Sequence, residues 1–435
     1  MNKDKIPQGY KKSPLGIIPE NWDVKRLGEV FNTLKSFSFS RNQMTSQKQE
    51  LRYIHYGDIH TGAEQDSVDL SLGTLPYILN DLIPVEKIKD ENFPLLKNGD
   101  IILADASEDY DGIGKAWEIL NTANNKIIAG LHTIVLRERT NYTSIGYGRY
   151  LFRNTQTSKS LKRIAQGTKV YSISYKHLSK LHLLFPPLSE QQKIAEILSC
   201  WDEAIEKQTQ LIEKLETRKR GLMQQLLTGK KRIKGFENEW KKIELGSVAT
   251  INRGGSPRPI KKFITSKETG INWIKIGDVD EGAKFIERTK EKIIEEGVLK
   301  SRQVFKGDFL LSNSMSFGRP YILKIDGCIH DGWLVIQDYS NAFNIDYLFY
   351  VLGFETTLSQ YKSLAAGSGV LNLNKEKVKM VVLFHPSIEE QTAIANILSI
   401  ADDEIQKEME LLTALRSQKK GLMQQLLTGK KRVKI

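Results

Sequence analysis

A chain of 435 residues that is 40% apolar is long enough for two or more domains with cores of their own. Its two cysteines, Cys200 and Cys328, sit in separate segments, no charged-then-apolar leader opens the chain, and no run of roughly 18 apolar residues occurs. These features argue against a disulfide framework, export or a membrane span and predict a cytoplasmic protein, while the net charge of +12 points to a polyanionic partner.

Residues 1–20 are polar and punctuated by proline, as in an extended lead-in. The pattern then alternates, with Val24 to Phe31 helical and strands over Arg52 to Tyr56, Asp100 to Ala104, Lys115 to Leu120 and Ile127 to Leu136. Ser144 to Ala165 has helical spacing through Ile145, Leu151, Leu161 and Ile164, and closes at Gly167. A short stretch, Val170 to Ser174, and a strand, Leu181 to Phe185, follow. Beyond Pro186-Pro187, apolar residues recur at Ile194, Leu198, Trp201, Ile205, Ile212, Leu215, Leu222 and Leu226, close to the 3.5-residue period of a coiled-coil seam. Ser189-x-x-Gln192 fits a capping box at its start, and Gly229 fits a left-handed cap at its end. Ser189 to Thr228 as one helix would measure about 60 Å at roughly 1.5 Å per residue.

That helix returns two hundred positions later. Gly221 to Arg232 reads GLMQQLLTGKKR, and Gly421 to Arg432 repeats it without a change. The second copy starts after Pro386 with Ser387-x-x-Glu390 and ends at Gly429. The flanking globules match more weakly. Trp22, Leu27, Gly28 and Val30 correspond to Trp240, Leu245, Gly246 and Val248, and Gly57-Asp58 and Gly99-Asp100 correspond to Gly277-Asp278 and Gly307-Asp308. The Gly-Asp pairs read as turns supplying positive φ. The expected order is a globular domain over 1–187, a long helix over 188–229, a second globular domain over 230–386 and a second long helix over 387–435. The fold class is α+β: two mixed α/β domains joined by two long helices that form an antiparallel coiled coil, in a pseudo-two-fold repeat.

Preserved helices suit one partner met twice, and diverged globules suit two different targets. Facing duplex DNA in opposite senses, the globules would read half-sites on opposite strands, their centres separated by at most roughly 17 base pairs for a 60 Å spacer. Gln208, Lys219, Glu408 and Lys419 place polar groups at matching seam positions, where they either snorkel outward or fix register and antiparallel pairing. Gly221 and Gly421, inside the helical pattern, predict close approach to another backbone. Lys and Arg fill four of five positions in both 230–234 and 430–434, suiting either the helix dipole or DNA phosphates.

Catalytic motifs are missing. Leu227-Thr228-Gly229-Lys230-Lys231 lacks the first glycine and the hydroxyl residue of a phosphate-binding loop. No Cys or His spacing suits zinc, no metal site is expected, and His55, His60, Cys328 and His330 read as structural or surface groups. A glycine-rich cofactor loop with an Asn/Asp-Pro-Pro-aromatic motif, as an adenine methyltransferase needs, is absent too. Asp105, Glu108, Asp109 and Asp111 with Lys115 form the one candidate nuclease centre, against the simpler reading of a polar surface loop.

Trp22 to Val30, Lys97-Asn98-Gly99-Asp100-Ile101, Pro186-Pro187-Leu188-x-Glu190-Gln191-x-x-Ile194-Ala195-x-x-Leu198 and Gly221 to Gly229, each with a second copy, resemble the specificity (S) subunit of type I restriction–modification systems over essentially the whole chain. The second helix start, Phe384-His385-Pro386-Ser387-Ile388, departs by one inserted residue and one lost proline. The resemblance implies target recognition domains that each read one half of a bipartite, asymmetric site in double-stranded DNA. It implies helices that set the gap and dock two methyltransferase (M) subunits, with restriction/translocase (R) subunits joining for cleavage. It also implies no catalytic centre and no cofactor here, with S-adenosylmethionine, ATP and Mg in the partner subunits. The chemistry of base and phosphate contacts selects Lys35, Ser36, Arg41, Tyr110, Lys169 and Tyr171 in the first domain and Arg253, Ser256, Arg258, Arg319, Ser368 and Asn372 in the second. Leu198, Ile205, Leu215, Leu222, Leu226, Leu398, Ile405, Leu415, Leu422 and Leu426 are expected to serve the spacer and subunit docking. The competing readings are a self-contained endonuclease or modification enzyme using Asp105 to Lys115, and a coiled-coil scaffold that does not touch DNA.

Overall fold

Strands Ile101–Ala104 and Thr133–Glu138 carry consecutive apolar residues rather than alternating ones, and in the computed structural model both are buried inside a sheet. The structure describes residues 6–61, 67–70, 75–110, 112–167, 169–279, 282–313, 318–365 and 373–435. The chain divides into two compact units, Met1–Gln208 with Leu411–Ile435, and Thr209–Glu410.

In the first unit the main sheet has the order Phe31–Leu34, Thr133–Glu138, Ile101–Ala104, Ala116–Asn121, Ser67–Asp69, antiparallel except for the last pair. A second sheet contains Lys126–Ala129 parallel to Leu51–Ile54. The second unit repeats the plan with Thr250–Arg253, Trp333–Gln337, Phe309–Ser312, Pro320–Leu323 and Phe285–Ile286, the last pair again parallel. Its second sheet likewise holds Gly327–Ile329 parallel to Ile271–Ile274. One mixed topology thus underlies both diverged globules.

Several local expectations are corrected. Val24 to Phe31 is not a helix: strand Asp23–Arg26 pairs with His182–Phe185, a single turn Leu27–Val30 follows, and Phe31–Leu34 joins the main sheet. Ile127 to Leu136 splits into two strands in different sheets at a turn where His132 has φ +56°. The pattern over Ser144 to Ala165 breaks at Asn154, whose side chain caps helix Thr155–Ile164 by accepting from Gln156 N at 2.8 Å. Gly99 and Gly307 have positive φ as expected, but Gly57 and Gly277 do not. Their neighbours Asp58 and Asp278 instead accept from His55 N at 2.8 Å and Lys275 N at 2.9 Å. Ser189 lies inside the first long helix and is not its cap, whereas Ser387 Oγ accepts from Glu390 N at 3.3 Å.

The long helices, Leu188–Leu226 and Ile388–Leu426, pair antiparallel within each unit. In the first, Lys419 meets Asp202 and Arg432 meets Glu190; in the second, Lys219 meets Asp402 and Arg232 meets Glu390. The Tyr150 and Tyr350 hydroxyls donate to the same Asp202 and Asp402 at 2.8 and 2.6 Å, so both seam lysines lie in fixed networks that set register. The glycine expectation is not met: a Cβ on Gly221 or Gly421 would find no heavy atom within 4 Å among the described residues.

Glu190 and Glu390 anchor these pairs. Glu190 is fully buried and accepts from Trp22 Nε1 at 2.9 Å and from Arg432 Nε and Nη2 at 2.6 and 2.7 Å. Glu390 accepts from Trp240 Nε1 at 2.9 Å and from Arg232 Nε and Nη2 at 2.8 and 2.9 Å. A buried carboxylate is costly unless its lone pairs are filled, and an arginine fork plus an indole fill them. The adjacent Gln191 donates to Tyr142 O at 2.7 Å and Pro186 O at 2.8 Å, and Gln391 to Ala342 O at 2.9 Å and Pro386 O at 3.0 Å. In the repeated Glu-Gln pair, the glutamate therefore holds the end of the other long helix and the glutamine holds the globule. Leu426 and Leu427 complete the first unit's core beside Trp22, Ile194 and Leu198, and Tyr10 donates to Gly429 O at 2.9 Å.

Deleting 426–435 is accordingly expected to unfold the first unit while sparing the second. Burial of Leu426 and Leu427 contributes about 2 kcal/mol each, and Glu190 would be left an unpaired buried charge. Segment-resolved hydrogen exchange tests this, and equal loss of protection in both units would contradict it. Gly221→Ala and Gly421→Ala should each stabilise the isolated chain by about 0.8 kcal/mol, read as a raised denaturation midpoint, because nothing obstructs the added methyl.

Candidate nucleic-acid interface

The polar loops leave the same topological place in both units. In each, the edge strand of the main sheet, Phe31–Leu34 or Thr250–Arg253, runs into an irregular connection that carries some of the chosen residues, Lys35, Ser36 and Arg41 in the first unit and Ser256 and Arg258 in the second.

In the second unit the connection is tightly laid. Gly254 N donates to Trp333 O at 2.9 Å and Gly255 N to Ile329 O at 3.1 Å, and a Cβ on Gly254 would overlap His330 O. Three of the predicted residues converge on Asp331, in the turn before strand Trp333–Gln337. Ser256 Oγ donates to Asp331 Oδ1 at 2.8 Å, Arg253 Nε to the Asp331 carbonyl at 3.0 Å, and Arg258 Nη2 lies 3.9 Å from Oδ2. The Ser256 hydroxyl holds the Asp331 carboxyl below its usual range, so it is ionised at neutral pH. The Arg258 side chain is 84% exposed, so this ion pair is weak and the guanidinium is available to a ligand. Arg319 is exposed, its N donating to Ser312 Oγ at 3.2 Å, and Ser368 and Asn372 lie outside the described residues.

In the first unit, Lys35 and Arg41 are exposed and Ser36 is half-buried. Arg41 Nη2 lies 2.7 Å from Asp58 Oδ1, so this arginine too rests on a carboxylate. Tyr110 and Tyr171 come together elsewhere, edge to face with centroids 5.2 Å apart, and the Lys162 ammonium lies 5.5 Å from the Tyr110 ring. Lys169 is exposed. Sequence reasoning missed Lys162, Asp331 and Arg302, whose Nε donates to Arg253 O at 3.4 Å. Only their proximity in the fold identifies them.

Two further expectations change. Arg232 and Arg432 turn inward to the buried glutamates, so the basic clusters offer six exposed lysines, Lys230, Lys231, Lys234, Lys430, Lys431 and Lys434, and not eight charges. Leu198, Ile205, Leu215, Leu226, Leu398 and Leu426 are buried, and Leu222, Ile405, Leu415 and Leu422 half-buried. They face the chain's own interior, so a docking subunit would meet other positions, among them the exposed Leu211 and Leu411.

Among the described residues the carboxylate cluster does not assemble. Asp105 sits 3.2 Å from His132 Nδ1, and burial pushes its carboxyl above the usual range against the pull of that imidazole. Asp109 accepts from Gly112 N, Lys115 reaches His60 O at 3.5 Å, and Asp111 lies outside the described residues. Among the described residues no group of three His, Cys, Asp or Glu side chains could hold a metal, and no helix is long and apolar enough to cross a membrane.

The family described as type I restriction modification DNA specificity domain matches residues 19–217 and again 237–415. The MjaX specificity subunit of Methanocaldococcus jannaschii is 28% identical over 98% of this chain and 97% of its own length. The MjaVIII specificity subunit of the same organism is 27% identical, over 96% and 94%. Among solved structures, a chain from work on complex assembly and conformational transition of the type I R-M system superposes with a TM-score of 0.60 at 18% identity, covering 95% of this chain and 99% of that one. The type I S subunit from M. genitalium gives 0.53 at 14%, covering 93% and 96%. Matched twice by one domain family and end to end by its relatives, the chain belongs to the type I restriction–modification DNA specificity family.

Proposed function

We propose that this chain is the non-catalytic DNA-reading subunit of a cytoplasmic type I restriction–modification complex. Each globular unit reads one half of a bipartite, asymmetric duplex site, and the long helices set the gap. The observation that carries this reading is the repeated corner of the fold. From the same edge strand, two unrelated loops present an arginine resting on a carboxylate, Arg41 on Asp58 and Arg258 on Asp331, while the surrounding framework is kept. An arginine in a shallow ion pair can exchange its carboxylate for the O6/N7 edge of guanine. Exposed lysines supply phosphate affinity that falls with salt. Methyl transfer to an extruded adenine and ATP-driven cleavage fall to M and R subunits holding S-adenosylmethionine, ATP and Mg. The exposed Leu211 and Leu411, at matching places in the two helices, suit two M subunits.

Co-expression with a type I methyltransferase (M) subunit from the same source, followed by sequencing of methylated adenines, is expected to show a gapped motif with one modified adenine in each half. Cutting or methylation by the isolated chain would overturn this in favour of an enzyme, and a stable complex without site-specific methylation would favour a scaffold. Within the complex, Arg258→Ala should relax base preference in the second half-site by about tenfold, as losing one bidentate base contact does, and leave the first half unchanged. Binding of duplexes with single substitutions in each half checks it.

A further inference from the structure

A carboxylate in the turn beside a basic loop opposes the approach of phosphates, so Asp331 costs some affinity for DNA in general. Its position shows what it supplies in return. The connection 254–259 has two backbone bonds to the strands beneath it, from Gly254 and Gly255, and its reading side chains are fixed from one point. Asp331 Oδ1 accepts from Ser256 Oγ, Oδ2 faces the Arg258 guanidinium, and its carbonyl accepts from Arg253 Nε and, at 2.9 Å, from Asn313 Nδ2.

The first unit provides an internal control. Ala129 pairs with Ile54 as Ile329 pairs with Ile274, so Leu131 stands where Asp331 does and cannot play this part. There Arg41 rests on Asp58, whose second oxygen already caps His55 N, and the matching framework aspartate of the second unit, Asp278, caps Lys275 N and forms no ion pair with an arginine among the described residues. Asp331 is therefore an addition of the second unit and not a framework residue.

Resting on the function proposed above, we propose that Asp331 is the positioning and specificity-determining residue of the second unit. On the matching sequence, Arg258 leaves Asp331 for a base edge while Ser256 stays held by it. On any other sequence Arg258 stays paired with Asp331 and is withheld from the phosphates, so a mismatched duplex gains no contact from it. The residue thereby weakens mismatched binding more than matched binding, which is discrimination by denying the wrong sequence a cation.

The test uses the complex with its methyltransferase partner, a duplex carrying the mapped motif, and duplexes with either half scrambled. Asp331→Asn keeps an acceptor for Ser256 and removes the charge. We expect it to bind the duplex scrambled in the second half roughly tenfold more tightly, while binding to the motif changes by less than about threefold, so discrimination at that half collapses. Discrimination at the first half stays as in the native complex, which also reports that the variant is folded. Asp331→Glu should restore most of the lost discrimination, as a role in shape alone would not. Unchanged discrimination in Asp331→Asn overturns the proposal, and so does an equal loss of affinity for matched and scrambled duplexes, which would mark Asp331 as a direct contact or a structural prop. If the native complex itself shows no preference for the motif, it is the proposed function that fails.

Discussion

A buried glutamate clamped by an arginine fork and an indole, formed once in each unit, is the contact on which the architecture rests. Its three partners come from distant stretches: the start of one long helix, the end of the other, and the first tryptophan of the globule. Because the arginine in each clamp comes from the other helix copy, neither copy is complete alone. Residues 411–435 finish the unit that begins at the N-terminus, and 209–232 belong to the unit that holds the second globule. A buried ion pair of this kind stabilises only when all its members are present, and it strongly disfavours any register that leaves the carboxylate unpaired. The Lys419–Asp202–Tyr150 and Lys219–Asp402–Tyr350 networks apply the same logic further along each pair.

Those clamps account for what could be read from the sequence. The long helices were legible because their signal is periodic over 39 residues and terminates in a glycine that adopts φ +69° in both copies. Their identity across the repeat was legible as well, but its cause was not. The arginine of Gly-Lys-Lys-Arg looks like one more surface charge until the fold brings Glu190 or Glu390 beside it. In the globules, boundaries were lost where a tertiary contact overrides local spacing. Leu27 and Val30 have helical spacing, yet Asp23–Arg26 and Phe31–Leu34 find strand partners more than a hundred residues away.

The candidate interface divides along the same line. Arg253, Ser256 and Arg258 could be chosen from chemistry alone, because arginine and serine beside glycine and proline mark a polar loop of defined path. Asp331, which organises them, could not, since nothing local distinguishes it from any other turn aspartate. Tyr110 and Tyr171 were separate choices sixty-one positions apart until the pairing of Ser107 with Tyr171 brought their rings together. Residue type is local information, whereas mutual orientation arises from pairing between distant strands.

The two units also show how a recognition scaffold diverges without losing its fold. The repeat keeps the groups that bond within the framework: the clamped glutamates, the glutamines that tie helix to globule, and the aspartates that cap the Asp58, Asp100, Asp278 and Asp308 turns. Between those points the loops carry exposed polar side chains that the framework does not require, so their sequences are freer to change. Each loop nevertheless starts from a strand whose position is set to within a hydrogen bond by its neighbours in the sheet. A changed loop therefore alters which groups are offered while leaving the place from which they are offered unchanged. That separation lets one set of helices, whose buried seams and last turns are nearly the same in both copies, serve two globules that read different things.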